Sequence, residues 1–126
     1  LPNTPETEGL LDAQRLATLP ANAVLVNVGR GPIIEERALY EALRDRRLYA
    51  AGLDVWYRYP THTSERAACP PSQFPFGELD DVVLSPHRAG HGDGTEALRA
   101  QHLATLLRAL AREDSTWNQV DLGRGY

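Results

Sequence analysis

The chain has 126 residues, of which 42% are apolar and 24% are charged. This length and composition fit one globular domain of ordinary size and exclude a largely disordered chain or a coiled coil. The net charge of −4 argues against a nucleic-acid surface, because such a surface needs a basic patch.

The short apolar runs and the single cysteine indicate whether the chain crosses a membrane and in which redox compartment it resides. No run is long enough to cross a bilayer, so we expect no membrane span. Cys69 cannot form an internal disulfide, which favours a reducing, cytoplasmic compartment. His87 and His91 lack an evident third ligand, so we predict no metal site. Because the chain contains no methionine, even at position 1, we expect it to be a piece of a longer protein.

The first predicted element is a helix that follows a polar loop at residues 1–9. Thr7 is predicted to cap this helix, which would begin near Glu8. Pro20 is predicted to end it. Its expected apolar face consists of Leu10, Leu11, Leu16 and Leu19.

A continuous apolar run at residues 23–28 predicts a strand that is buried on both faces, as in a parallel sheet. Two glycines and a proline at residues 29–32 then break the chain. A second helix is predicted from about Glu35 to Arg46, because its alanines and leucines form an apolar stripe among charges.

Two further strands are predicted at residues 49–56 and 81–85. The irregular segment between them, residues 57–80, has the length that is typical of a functional or mobile loop. Thr95 is predicted to cap a long helix that runs to about Arg112. The polar tail, residues 113–126, is predicted to be extended.

The predicted helices and strands alternate along the chain. This order is typical of an α/β fold with a parallel sheet and right-handed crossovers. Ligands of such sheets bind outside the carboxyl ends of the strands. A polar side chain with useful chemistry follows each predicted strand, namely Arg30, Asp54 and His87. We therefore expect a candidate site at this edge of the sheet.

Arg30 and His87 each allow a functional and an ordinary interpretation. The guanidinium of Arg30, which lies between two glycines, suits a carboxylate ligand, but it also suits an exposed turn. His87 can act as a general acid or base near neutral pH, whereas a lone histidine in a loop is often simply exposed. Their shared position at strand ends favours the functional interpretation.

The remaining candidates also keep two interpretations. Asp54 can accept hydrogen bonds from a bound ligand or cap a turn. Trp56, Tyr57 and Tyr59 can line a pocket or pack the long loop. Cys69 has no neighbouring base in the sequence, so we do not expect it to be a nucleophile.

Four segments carry a resemblance to a known family: residues 1–10 (LPNTPETEGL), 26–35 (VNVGRGPIIE), 51–55 (AGLDV) and 83–90 (VLSPHRAG). In this order and spacing they resemble the D-isomer-specific 2-hydroxyacid dehydrogenases. That group includes D-lactate, glycerate and phosphoglycerate dehydrogenases and, more distantly, formate dehydrogenase. The resemblance extends over essentially the whole chain.

The resemblance implies a partial Rossmann-like, doubly wound parallel sheet with flanking helices. Residues 1–93 resemble the C-terminal half of the NAD-binding domain, and residues 94–126 resemble the crossover helix and tail that return toward the substrate domain. The glycine-rich turn G-x-G-x-x-G and the acidic ribose-binding residue of the family have no counterpart in this sequence. We therefore expect this chain to be inactive alone, and we expect the cofactor to be NAD, with NADP as the alternative.

The resemblance also implies roles for individual residues. Arg30 resembles the arginine that binds the substrate carboxylate and polarises its carbonyl. His87 resembles the acid/base that protonates the 2-keto oxygen, and Asp54 resembles the residue that holds the nicotinamide carboxamide. The positions that resemble cofactor-binding ones are Pro2, Thr7, Val28, Gly29, Arg30, Asp54 and His87.

Tyr59 departs from the family pattern, which usually has a Glu-Pro pair five residues after the aspartate. Here the pair is Tyr59-Pro60, and we include Tyr59 with Arg30 and His87 as the predicted catalytic residues. A phenol is neutral near pH 7 and cannot stabilise an imidazolium as a carboxylate does. This predicts a downward shift of the pH optimum for keto-acid reduction, unless Glu65 supplies the missing carboxylate.

The resemblance implies an NAD(P)-dependent oxidoreductase that interconverts a D-2-hydroxy acid and its 2-keto acid. The alternatives are a non-catalytic nucleotide-binding or assembly relative, in which Tyr59 marks lost chemistry, and a remnant without activity. We expect a small 2-hydroxy or 2-keto acid as partner, and neither nucleic acid nor membrane. A sheet cut before residues 23–28 exposes a flat edge, which predicts a homodimer or association with the missing N-terminal half.

Overall fold

The computed structural model describes residues 1–112, 114, 116, 117 and 119–123. These residues divide into two compact units, residues 1–89 and residues 90–126, and each unit is described by itself. The predicted assignment of residues 1–93 and 94–126 to two domains stays a prediction.

A three-stranded parallel sheet forms the centre of the first unit. Its strands are β1 (Val24–Asn27), β2 (Ala50–Leu53) and β3 (Val82–Leu84), and β2 lies between the other two. All three predicted strands exist, although each is shorter than the apolar run that predicted it. The α/β fold with a parallel sheet is thus confirmed.

Helix α1 (Ala13–Ala17) begins later than predicted, and its cap is Asp12 rather than Thr7. The Asp12 carboxylate accepts the Arg15 N–H at 2.8 Å, which satisfies one of the free donors of the first turn. The predicted cap by Thr7 is wrong, because Gly9 has a left-handed φ of 63° and interrupts the chain between Thr7 and the helix.

Helix α2 (Glu36–Arg44) contributes four buried residues to the core. Its buried apolar residues meet Leu25, Ala51 and Leu53 on one face of the sheet. Burial of one such side chain contributes about 1.5–3 kcal/mol to folding. The buried residues of α2 are Ala38, Leu39, Ala42 and Leu43.

The opposite face of the sheet is open in this unit. Val24 and Val26 of β1 are 58% and 66% exposed, whereas Leu25 and Asn27 between them are buried. The predicted burial of β1 on both faces is therefore wrong within residues 1–89. The physical reason is that α1 and α2 contribute to a core on a single face, so side chains that alternate along the strand alternate in burial.

Hydrogen bonds join the two ends of the first part of the long connection between β2 and β3. The carbonyl oxygen of Pro71 accepts the N–H groups of Tyr57 and Arg58, at 3.2 and 3.0 Å. The Glu36 carboxylate at the start of α2 accepts the Ser72 hydroxyl at 2.7 Å and the Gln73 N–H at 2.9 Å. We call residues 57–71 the closed loop, because these bonds bring its ends together.

The second unit contains one long helix, α3 (Thr95–Ala111). Its N-cap is Gly94, and the Thr95 hydroxyl oxygen instead accepts the Gly92 N–H at 3.1 Å, so the predicted cap by Thr95 is wrong. Several residues of the predicted extended tail, residues 113–126, lie outside the described residues. No helix in the described chain has both the length and the apolarity to cross a membrane.

Candidate active site

The three strands of the first unit end at the same edge of the sheet. The register pairs Asn27 with Leu53 and Leu53 with Leu84, so the strand ends are aligned. Arg30, Asp54 and His87 follow these ends, as predicted from the sequence. Because neighbouring strands lie about 4.8 Å apart, the edge from β1 to β3 spans about 10 Å.

Asn27 holds the turn that carries Arg30. Its side-chain Nδ2 donates to the carbonyl oxygen of Arg30 at 2.9 Å, and its Oδ1 accepts the Gly29 N–H at 3.1 Å. The residue is only 8% exposed, so these bonds satisfy a buried amide. Sequence reasoning missed Asn27, although a polar residue within an apolar strand is a signal that can be read.

Gly31 allows the same turn to approach the end of β2. A Cβ atom at this position would lie 2.3 Å from the carbonyl oxygen of Trp56, which is closer than any real contact. Only glycine therefore permits this spacing. The close approach connects the turn after β1 to the segment that leads into the closed loop.

Arg30 is exposed, and its Nη1 donates to the carbonyl oxygen of Gly29 at 2.8 Å. Among the residues that the structure describes, Arg30 makes no ion pair. The remaining donors of its guanidinium face solvent and can bind an anion in bidentate fashion.

Asp54 is buried, and its carboxylate holds the turn that carries His87. Its Oδ1 accepts the Arg88 N–H at 2.7 Å and its Oδ2 accepts the Ala89 N–H at 2.8 Å. His87 itself has a left-handed φ of 58°, a conformation that is uncommon outside glycine and needs support. The turn-capping interpretation of Asp54 thus has direct geometric support, and its predicted contact with a cofactor stays a prediction.

The surroundings of Asp54 favour its ionised form. A hydrogen bond from Ser85 is the main cause that lowers the pKa of the Asp54 carboxyl, and burial opposes this shift. The N–H groups of Ala89 and Arg88 and the nearby His87 also lower the pKa. Both carboxylate oxygens are therefore held as acceptors near neutral pH.

Tyr59 reaches His87 across the edge of the sheet. Its Oη lies 3.1 Å from His87 Nδ1, and the main-chain N–H of Trp56 donates to the same oxygen at 3.0 Å. The buried Trp56 is fixed in turn, because its indole Nε1 donates to the carbonyl oxygen of Ser85 at 3.0 Å. Tyr59 thus occupies the position next to the histidine that the sequence comparison suggested.

Glu65 does not take the place of the missing carboxylate. Its Oε2 accepts the N–H and the hydroxyl of Thr61, at 2.9 and 2.8 Å, and it also bonds to the His62 N–H. These bonds lower the pKa of Glu65, and the first cause is the Thr61 hydroxyl. The carboxylate caps a turn within the closed loop, so the alternative in which Glu65 supports His87 does not match this geometry.

A cavity of about 420 Å³ lies beside the Tyr59–His87 pair. Its wall is mainly apolar, and Arg58, Tyr59 and His87 bring polar groups to it. Tyr57 lies elsewhere, packed against the core, where burial and then Glu36 and Glu35 raise the pKa of its phenol. The apolar part of the wall includes Trp56, Pro60, Cys69, Pro71, Leu84 and Pro86.

The predicted cofactor-binding residues of the N-terminal segment lie next to the turn after β1. Thr7 donates its hydroxyl proton to the carbonyl oxygen of Pro2 at 2.7 Å. The backbone of Leu1 lies 3.7 Å from the place that a Cβ on Gly29 would take, and Val28 is 58% exposed. No cluster of three or more possible metal ligands occurs in the part of the chain that the structure describes.

A comparison with protein families matches residues 1–89 to the NAD binding domain of D-isomer specific 2-hydroxyacid dehydrogenases. The chain belongs to this family. The family predicted from the four sequence segments is thereby confirmed, as are the Rossmann-like fold and the character of the chain as a nicotinamide-cofactor domain of a dehydrogenase. The roles of the individual site residues stay predictions.

Individual relatives agree with the family match. The D-3-phosphoglycerate dehydrogenase of Methanocaldococcus jannaschii is 30% identical over 97% of this chain and 21% of its own length. The glyoxylate reductase of Korarchaeum cryptofilum is 33% identical over 96% of this chain and 34% of its own length. A solved 2-hydroxyacid dehydrogenase from Xanthobacter autotrophicus Py2, in complex with NADPH and MES, is 37% identical with a TM-score of 0.77.

These relatives are much longer than the chain. The Xanthobacter structure matches all of this chain, which covers 48% of that protein. The chain therefore spans between 21% and 48% of the length of the three relatives.

Proposed function

We propose that the protein containing this chain is an NAD(P)-dependent oxidoreductase that interconverts a D-2-hydroxy acid and its 2-keto acid. The observation that carries the proposal is the alignment of Arg30, Asp54 and His87 at the carboxyl ends of three adjacent parallel strands. This edge is where α/β sheets bind their ligands. Membership of the dehydrogenase family supports the same chemistry.

Arg30 binds the substrate in this proposal. Its exposed guanidinium offers parallel donors to the carboxylate that every 2-hydroxy or 2-keto acid carries. The Asn27 side chain and the Gly31 contact hold the turn, so Arg30 is attached to a rigid support. A charged group in this position also polarises the neighbouring carbonyl of the substrate.

His87 moves the proton in this proposal. Its imidazole gives a proton to the oxygen of a 2-keto acid or takes one from the hydroxyl of a 2-hydroxy acid. Asp54 holds the turn on which His87 lies, and Tyr59 contacts its Nδ1, so Nε2 is the nitrogen left for the substrate. Tyr59 is part of the predicted catalytic set because it contacts this imidazole.

The chain fits the nicotinamide end of a cofactor. A Cβ on Gly29 would make only ordinary contacts with Asn27 and Leu1, at 3.6–3.7 Å, so the turn after β1 lies against the start of the chain. Pro2, Thr7, Val28 and Gly29 would hold the cofactor at this edge. A bound nicotinamide supplies or accepts the hydride. We expect the chain alone to lack turnover, because its sequence contains no G-x-G-x-x-G turn for the pyrophosphate.

The proposal also covers the association of the protein, its location and its substrate. The edge strand β1 and its exposed valines support a homodimer or association with further parts of the protein. The single cysteine supports a cytoplasmic location. A small 2-hydroxy or 2-keto acid is the proposed substrate, with no role for nucleic acid.

The test is the oxidation of NADH and NADPH by the protein that contains this chain, with glyoxylate and larger 2-keto acids. We expect His87→Gln to lower kcat by about 10²–10⁴-fold, because the proton donor is lost. Arg30→Gln is expected to weaken binding of the keto acid, and His91→Gln, which replaces another exposed histidine, serves as the matched control. Full activity of His87→Gln would overturn the proposal, and no turnover with any acid would favour a non-catalytic relative.

A further inference from the structure

The hydrogen bonds at Tyr59 have a defined direction. The main-chain N–H of Trp56 can only donate, so Tyr59 Oη is the acceptor of that 3.0 Å bond. The phenol keeps its own proton, and His87 Nδ1 lies 3.1 Å from Oη. Because Oη already accepts from Trp56, the phenol's own proton is the one available for Nδ1, and this donation requires that Nδ1 carry no proton.

We propose that Trp56 and Tyr59 hold neutral His87 in the tautomer that carries its proton on Nε2. This inference rests on the proposed function and concerns the state of His87 from which hydroxy-acid oxidation starts. With a proton on Nε2, the imidazole presents a donor to the substrate. A general base for oxidation of a hydroxy acid needs a free lone pair on that same nitrogen.

The proton balance shows the consequence for each direction. In reduction, the Nε2–H bond of the imidazolium breaks, its electron pair stays on Nε2, and the proton goes to the carbonyl oxygen of the 2-keto acid. The neutral imidazole then regains its preferred tautomer by taking up a proton on Nε2 and losing one from Nδ1. In oxidation, neutral His87 must first give up the bond from Tyr59 to expose the lone pair on Nε2.

A single net hydrogen bond changes the ratio of the two tautomers by about two- to tenfold. We expect the rate of hydroxy-acid oxidation at alkaline pH to be lowered by this factor. Tyr59 acts through His87 and is in this sense a positioning residue. It lowers the kcat of hydroxy-acid oxidation at alkaline pH and leaves the equilibrium between hydroxy acid and keto acid unchanged.

Other ionisable groups near His87 do not impose this choice between its nitrogens. The Asp54 carboxylate bonds to the main chain after His87, and the two groups interact electrostatically. Arg58 and Cys69 line the cavity beside the imidazole. Among the described residues, the one side-chain hydrogen bond to the ring comes from Tyr59.

The deciding experiment is nitrogen-15 NMR of the histidine side chains in the intact protein at alkaline pH, where free imidazole is neutral. The signals of His87 are assigned by their loss in His87→Gln, since the chain has four histidines. We expect a protonated Nε2 and an unprotonated Nδ1. A protonated Nδ1 in the parent protein would overturn the proposal.

Two substitutions separate the effect of Tyr59 from the intrinsic preference of imidazole. Tyr59→Phe removes the donor, so the tautomer ratio should move by about two- to tenfold toward that of free imidazole. Tyr59→Glu replaces the donor with an acceptor and should transfer the proton to Nδ1. A tautomer ratio that is unchanged in both variants would contradict the inference.

Activity gives a second and separate measurement. In an active protein, Tyr59→Glu should raise the kcat of hydroxy-acid oxidation at alkaline pH by about two- to tenfold and move the pH optimum of reduction upward. An unchanged pH profile would contradict the role of Tyr59. The NMR result does not depend on turnover, so the expected tautomer in a protein without activity would count against the proposed function alone.

Discussion

Asp54 has a structural role at a position where the sequence predicts a cofactor contact. Its two carboxylate oxygens already accept the N–H groups of Arg88 and Ala89. These bonds support the left-handed backbone of His87, which has a φ of 58°. At the scale of single residues, the buried carboxylate therefore positions the turn that carries His87.

This role predicts a pH-dependent contribution of Asp54 to stability. Because folding lowers the pKa of Asp54 from its ordinary 3.8, its contribution is fully present above that pH. The contribution is lost as the pH falls through the lowered pKa. Asp54→Asn should thus lower Tm near neutral pH, and the difference from the parent protein should shrink in acid.

Thermal unfolding followed by circular dichroism over a range of pH measures this effect. Asp80→Asn, which changes an exposed carboxylate, is the matched control and should leave Tm nearly unchanged at all pH values. A difference between Asp54→Asn and the parent protein that does not vary with pH would show that ionisation of Asp54 is irrelevant to folding.

At the scale of elements, the site depends on how closely the turn after β1 approaches the end of β2. Gly31 meets the main chain of Trp56, and Trp56 in turn donates to Tyr59 and to the carbonyl oxygen of Ser85. Three strand ends are therefore connected through one buried tryptophan. A change in the distance between the turn after β1 and the end of β2 would therefore move Trp56 and alter the contact between Tyr59 and His87.

Gly31→Ala tests this connection. The added methyl group would lie 2.3 Å from a main-chain oxygen, so the backbone must move. We expect a loss of about 1–3 kcal/mol in the free energy of unfolding, measured by urea denaturation. Gly52→Ala in β2 is the control, because its methyl group would meet Val26 at an ordinary 3.7 Å. Equal stability of the two variants would show that the close approach is not required.

At the scale of the whole molecule, the first unit exposes apolar side chains on one face of its sheet. The exposed valines of β1 lie on an edge strand with free main-chain donors and acceptors. Such an edge favours pairing with another strand. The relatives are two to five times as long, judging from the 21% to 48% of their length that the chain covers.

We expect the 126-residue chain, prepared alone, to associate with further copies of itself. Sedimentation velocity over a range of concentrations measures the association. Val26→Lys introduces a charge on the exposed face and should shift the chain toward the monomer. Tyr49→Lys, which also adds a charge at an exposed position, is the control. A parent chain that sediments as a monomer at all concentrations would contradict this expectation.

Sequence by itself determined the α/β class, the order of the elements and the alignment of Arg30, Asp54 and His87. Apolar periodicity and chain breaks are local signals, and the topology of a parallel sheet then brings the strand ends to one edge. Four short segments were enough to predict the family for the same reason, because each segment lies at a local turn or strand end.

Tertiary structure alone decided what these residues contact. Tyr59 meets His87 across 28 positions of sequence, and Asp54 meets Arg88 across 34. The one-sided burial of β1 and the use of Glu65 within its own loop were likewise beyond the sequence patterns. The physical reason is that such contacts depend on how loops close and which faces helices cover, and local residue preferences do not specify either.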